Sequence, residues 1–290
     1  MIPENFTYFA PSSLAEAWAL LGAHPDDSKL LAGGQSLIPL MKLRLASPAF
    51  LVDLRKVPGL NALEERDGAL VIGAMVRESA LERSPLVQRR YAGLVDASSV
   101  VADPLVRNFA TIGGNLAHAD PANDHPAMML ALRASVVAQS PTGARVIPID
   151  DFLVDTFETA LTPNEILTEI RVPQPTQHTG SAYVKLERKV GDYAIAAVGV
   201  SITLDGGICS HAGIGLTNVG PKALRATAAE RYLVGQSPSE AALREAARLA
   251  AEAAQPTADL RGPVEYKRAM VRTLATRALR AAVQRAQAGV

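Results

Sequence analysis

The sequence predicts an α+β fold: two small mixed modules, then an antiparallel sheet with trailing helices. Three observations carry this. In the last third, residues 181–188, 193–204 and 208–216 are apolar, strand-like runs, and Asp205-Gly206-Gly207 between the last two is a hairpin signal. Alanine-rich runs at 226–234, 238–254 and 264–286 follow and favour helix. In the first half, short helical and strand-like runs alternate, broken by Gly and Pro.

In chain order, Leu14, Ala17, Trp18 and Leu21 stand at helical spacing, with Ser12 or Ser13 as the cap, Glu16 close behind and Gly22 as the stop. Residues 29–32 read as a short buried strand that ends at Gly33-Gly34. Leu37, Leu40, Met41 and Leu45 form a short helical face, and 51–54 is a second strand. Residues 69–74 read as a strand and 78–100 as largely helical, until Asp103-Pro104 interrupts. The stretch 111–126 is rich in Gly, Asn, Asp and Pro and reads as an ordered loop. Strands at 135–138 and 145–149 flank the turn Pro141-Thr142-Gly143. The Pro-rich segment 173–178 is the linker. It divides the chain into 1–176, with subdomains of about 1–55 and 56–176, and a C-terminal domain 177–290 with a three-stranded sheet and helices.

With 290 residues, 48% of them hydrophobic and 20% charged, the chain is too apolar to be disordered. Its 29 basic and 29 acidic residues cancel. It therefore lacks the basic footprint of a nucleic-acid binder, and its neutrality favours association with partners. The one cysteine, Cys209, can form no internal disulfide, which points to the cytoplasm. One thiol also falls short of the roughly four that hold an iron–sulfur cluster, so any cluster must sit on another chain. The start of the chain shows no basic-then-apolar signal pattern.

Chance expects about 1.5 diglycine pairs at this glycine content. Three are present, and Gly206-Gly207 is a turn. The other two have context. In Ala32-Gly33-Gly34-Gln35-Ser36 a strand ends in glycines and small polar residues before a helix-like run. Glycines admit a ligand close to the backbone, successive N–H groups form an anion nest, and a helix start adds positive potential. Thr111-Ile112-Gly113-Gly114-Asn115 repeats the pattern and leads into Asp120-Pro121 and Asn123-Asp124. Two such loops suit the two phosphates of a dinucleotide; two ligand-free tight turns are the equal alternative on pattern alone. Neither loop matches G-x-G-x-x-G, and no phosphate-binding-loop lysine follows.

Those two segments, with Lys185-Leu186-Glu187-Arg188-Lys189-Val190-Gly191-Asp192-Tyr193-Ala194, Gly215-Leu216-Thr217-Asn218-Val219 and Arg261-Gly262-Pro263-Val264-Glu265-Tyr266, span nearly the whole chain. In that order they resemble the FAD-binding subunit of the molybdenum hydroxylases, the xanthine dehydrogenase superfamily, and look most like its carbon-monoxide-oxidising branch. The resemblance implies a two-part FAD module of the vanillyl-alcohol-oxidase type. Ala32, Gly33, Gly34, Gln35 and Ser36, with Thr111, Ile112, Gly113, Gly114 and Asn115, would hold the pyrophosphate. Asp124 matches a carboxylate near the ribityl or ribose hydroxyls, Lys185 a lysine near the flavin ring, and Leu167 a nearby apolar contact. Gln35 departs from the histidine often found in that branch. No residue of this chain is assigned to catalysis or to metal.

The resemblance further implies partners: a small iron–sulfur subunit, a large molybdopterin subunit, and a dimer of heterotrimers that passes electrons to a quinone-type acceptor. The complex would be cytoplasmic, or peripheral at the inner face of the cell membrane. A xanthine-type or N-heterocycle dehydrogenase is the alternative, and a standalone flavoenzyme lacks a convincing base. Taken alone, Tyr193 is a sheet-packing aromatic and Lys185 either a solvated strand lysine or one in a weak ion pair with Glu187 or Asp192. With the family motif, Tyr193 shields the flavin and Lys185 supplies positive charge beside it. His118 and His125, among Asp120 and Asp124, have no metal-ligand spacing.

Overall fold

The computed structural model describes residues 2–289. The first module is a three-stranded parallel sheet in which Phe50–Asp53 lies between Thr7–Phe9 and Ser28–Leu31. Helix Leu14–Ala23 covers it. The Ser13 hydroxyl accepts from the Glu16 amide (3.1 Å) and the Glu16 carboxylate accepts from the Ser12 amide (2.7 Å), a reciprocal cap. The helix runs through Gly22 to Ala23, because Ala17 and Leu21 are buried with Val52 and Leu54.

The second module is a five-stranded antiparallel sheet in the order Leu63–Arg66, Ala69–Gly73, Ile166–Pro173, Ser135–Ser140, Gly143–Pro148. Segment 78–100 is three helices, Glu78–Arg83, Pro85–Arg90 and Ala92–Ser99. Ser84 ends the first, and its hydroxyl caps the second by accepting from the Val87 amide, with Pro85 at the first helical position. The expected loop at 111–126 is corrected: it contains helix Ile112–His118 and the start of helix Asp124–Ala131. All eight residues of the second helix are buried, so it has no amphipathic stripe for a sequence pattern to reveal.

The C-terminal sheet is antiparallel, in the order Thr179–Glu187, Ala194–Asp205, Ile208–Thr217, Leu224–Arg225. The last strand, two residues long, is a fourth beyond the three expected. Helices Thr227–Leu233, Glu240–Ala253 and Val264–Ala288 follow; the first and last lie against one face of the sheet, where Ala275, Ala278 and Ala282 join the core of Val198 and Ile214, and Glu240–Ala253 packs on those two helices. The other face carries helix Asp124–Ala131. Gly213 and Gly215 let it lie there: a Cβ on either would fall inside the carbonyl oxygen of Ala131 or Ala127. Burying Met128 and Met129 contributes about 1.5–3 kcal/mol each, and it fixes Asp124 over the sheet. No helix among the described residues is long and apolar enough to cross a membrane.

Candidate functional site: a dinucleotide cleft between modules

Strand Ser28–Leu31 delivers the first diglycine loop. Gly34 holds φ +74, a left-handed conformation that glycine adopts without strain. Gly33 abuts the second loop so closely that a Cβ there would overlap the Phe109 carbonyl oxygen. Among the described residues, the amides of Gly33, Gly34, Gln35 and Ser36 donate to no protein group. Helix Leu37–Lys42 begins directly after them. Four consecutive open donors in a glycine turn are an anion nest.

The second loop is built differently. Ile112 N–H donates to the Val76 carbonyl and Gly113 N–H to Ala74, each at 3.0 Å. Gly114 N–H donates to Thr111 Oγ1 (3.1 Å) and Asn115 N–H to the Thr111 carbonyl (2.9 Å). The expected run of free amides at 112–115 is therefore committed to the helix start and to strand Ala69–Gly73's extension. What remains open is the Thr111 amide and the buried Asn115 Oδ1, which has no hydrogen-bond partner. The loops touch where the Cβ position of Gly114 lies 3.6 Å from the Ala32 Cβ. Beside them a cavity of about 450 Å3 is lined by Ala32, Gly33, Phe109 and Thr111, and by Arg55, Lys56 and Arg77. Those three cations come from two segments, Arg55-Lys56 and Arg77, and no local motif announces them.

Asp124 and Lys185, 61 positions apart, are brought together. Lys185 Nζ donates to Asp124 Oδ2 (3.1 Å) and to the Val100 carbonyl (2.9 Å), and lies 3.4 Å from Glu187 Oε2. The Tyr183 hydroxyl donates to Asp124 Oδ1 (2.8 Å) and lies 3.1 Å from Thr217 Oγ1. Burial pushes the Asp124 carboxyl up to about 6, against the pull of Lys185 and Tyr183. Burial, then the Asp124 charge, pushes Tyr183 far above the usual phenol range. Lys185 is only 3% exposed at its side chain, so it is not the solvated strand lysine of the bland reading. Tyr183 and Thr217 were missed. The signal was available, since Tyr183 is two residues from Lys185 and points to the same sheet face.

Tyr193 is 47% exposed. Its amide donates to Asp192 Oδ1 (2.8 Å), and its ring centroid lies 6.0 Å from the Arg261 guanidinium. Partial burial, then the Asp120 carboxylate, raises its hydroxyl pKa. Leu167 is buried: it pairs with Ala138 in the five-stranded sheet and belongs to the core cluster that also holds Ile112 and Tyr183.

The fold and this junction define an FAD-binding subunit of the molybdenum hydroxylases, and the chain belongs to that family. Residues 4–175 match the FAD-binding domain in molybdopterin dehydrogenase, and 181–282 match the CO dehydrogenase flavoprotein C-terminal domain. The carbon monoxide dehydrogenase medium chain of Hydrogenophaga pseudoflava is 47% identical over 97% of this chain and 98% of its own length. A crystal structure of carbon monoxide dehydrogenase from the same organism superposes with TM-score 0.96 at 48% identity, covering 98% of this chain and 99% of that one. The 6-hydroxypseudooxynicotine dehydrogenase complex subunit alpha of Paenarthrobacter nicotinovorans is 38% identical over 99% and 97% of the two chains.

The residues present fit FAD. The open amides at 33–36, the missing Cβ at Gly33, the unpartnered Asn115 Oδ1 and the cations at the cleft suit a diphosphate.

Proposed function

We propose that this chain is the FAD-carrying electron-transfer subunit of a heterotrimeric carbon monoxide dehydrogenase. The observation that carries the reading is the junction itself: open backbone donors at Gly33–Ser36, meeting the Thr111 loop, with a buried Asp124–Lys185 pair beyond it. Bound FAD supplies two-electron storage that is filled and emptied one electron at a time. The residues do the rest. The loop at 33–36 and the side chains of Thr111 and Asn115 hold the diphosphate. Asp124, fixed by Tyr183, takes sugar-chain hydroxyls. Lys185 keeps a fixed positive charge near the ring, which raises its potential. Tyr193 excludes water from one face of the ring, and Leu167 is a nearby apolar contact. Residues 1–176 form the FAD module and 177–290 the wall that meets the ring.

With one cysteine in the chain, clusters belong to a small iron–sulfur partner and the molybdenum centre to a large one. The acceptor is quinone-type, and the complex works in the cytoplasm or at the inner membrane face. A second reading, an N-heterocycle dehydrogenase subunit, is favoured by the 6-hydroxypseudooxynicotine relative. One experiment tests both: isolate the complex from its native source, record the flavin band at about 450 nm, and add carbon monoxide or N-heterocycles. Bleaching by carbon monoxide supports the first reading; bleaching only by a heterocycle supports the second; absence of flavin would overturn both.

A further inference from the structure

His125 and Glu78 form a fully enclosed pair. Both side chains are 0% exposed, with His125 Nε2 2.6 Å from Glu78 Oε2. The remaining atoms, His125 Nδ1 and Glu78 Oε1, are buried without a partner among the described residues. Each such orphan costs about 1–3 kcal/mol, and two apolar side chains of similar volume would avoid that cost. The contact is a poor device for stability alone.

Its position suggests another use. The Glu78 amide donates to the Ala110 carbonyl (3.0 Å), and the neighbouring Arg77 bridges to Thr111. Glu78 is thus tied to the root of the second diglycine loop. His125 follows Asp124 directly, in a helix buried on every side. The pair therefore links the loop that meets the diphosphate to the helix that carries Asp124, alongside the Asn123 side chain that donates to the Asn115 carbonyl (2.8 Å).

We propose that the His125–Glu78 pair sets the spacing between the Thr111 loop and the Asp124–Lys185 pair, and so matches the cleft to the full length of a flavin dinucleotide. His125 and Glu78 are positioning residues; neither touches the ligand. The inference rests on the FAD reading of Thr111 and Asp124 given above.

The test uses the assembled complex stripped of flavin, titrated calorimetrically with FAD and, separately, with ADP. With Asp124 taken as a ribityl contact, ADP engages the diphosphate loops but lacks the chain that Asp124 holds. His125→Leu weakens FAD about tenfold and leaves ADP within about twofold. His125→Gln, which keeps a donor at the Nε2 position, restores FAD to within about threefold. Glu78→Asp draws the arm in by one methylene and gives the same selective loss of FAD, which keeps the test decisive should the leucine variant not accumulate. FAD and ADP weakening together, neither weakening, or failure of glutamine to restore FAD would each overturn the proposal. Wild-type complex that takes up no FAD would instead overturn the FAD reading, before the pair is at issue.

Discussion

The two diglycine loops look alike as sequence and differ as structure. In Gly33–Ser36 four consecutive amides are open. In Ile112–Asn115 every amide already has a protein acceptor. The first loop is a receptor made of backbone. The second is a helix start, capped by the Thr111 hydroxyl, that presents side chains. Its glycines serve close approach: Gly113 lies against Ala74, and a Cβ there would come within 2.5 Å of the Ala74 Cβ and carbonyl oxygen. Glycine at the first loop keeps amides open and, at Gly33, also admits the Phe109 carbonyl, whereas at the second it is largely a packing device.

Substitutions separate the two roles. The largest effect belongs to Gly113→Ala, which drives a methyl into the Ala74 backbone and is expected to lower stability by about 3 kcal/mol, read as a drop in melting temperature with or without FAD. Gly33→Ala places its methyl on the Phe109 carbonyl and parts the loops. It is expected to lower apoprotein stability by about 1–3 kcal/mol as well, and to weaken FAD by roughly 100-fold, whereas Gly113→Ala that still folds keeps FAD affinity within about threefold. If Gly113→Ala weakens FAD as much as Gly33→Ala does, the contrast between the loops is wrong.

Asp124 gives a smaller, pH-dependent effect. Its carboxyl is raised from 3.8 to about 6 by burial. The folded chain therefore holds this proton more tightly than the unfolded chain. The resulting stability is full below about pH 4 and is lost as pH rises through about 6. Asp124→Asn cannot ionise, so the apoprotein variant gains on wild type across that window, by on the order of 2 kcal/mol. Melting curves between pH 4 and 7 check this, and parallel curves would contradict it. The smallest effect is at Gln35, whose side chain is exposed and reaches only the Gly33 carbonyl (3.3 Å). Gln35→Ala is expected to change FAD affinity less than about twofold, since the loop binds through amides.

Much of this was legible because it is local. Gly33-Gly34 after a strand, the Asp205-Gly206-Gly207 hairpin and the alanine-rich helices are short-range patterns, and each lies where the pattern puts it. Helix Asp124–Ala131 was not legible, because a sheet face cleared by Gly213 and Gly215 buries it all round and overrides its Asp, His and Pro. Of the partners of Lys185, Glu187 was legible two residues away, but Asp124 was not, since folding brings it there across 61 positions. Arg55-Lys56 and Arg77 reach the cleft from two segments, and the neutral net charge hid them.

Hydrogen exchange resolved to single amides, on the complex with and without FAD, tests the central contrast most directly. Gly33, Gly34, Gln35 and Ser36 should exchange rapidly without FAD and become protected on binding, while Ile112, Gly113, Gly114 and Asn115 should be protected in both states. Protection that arises instead at 112–115, with 33–36 unchanged, would contradict the account.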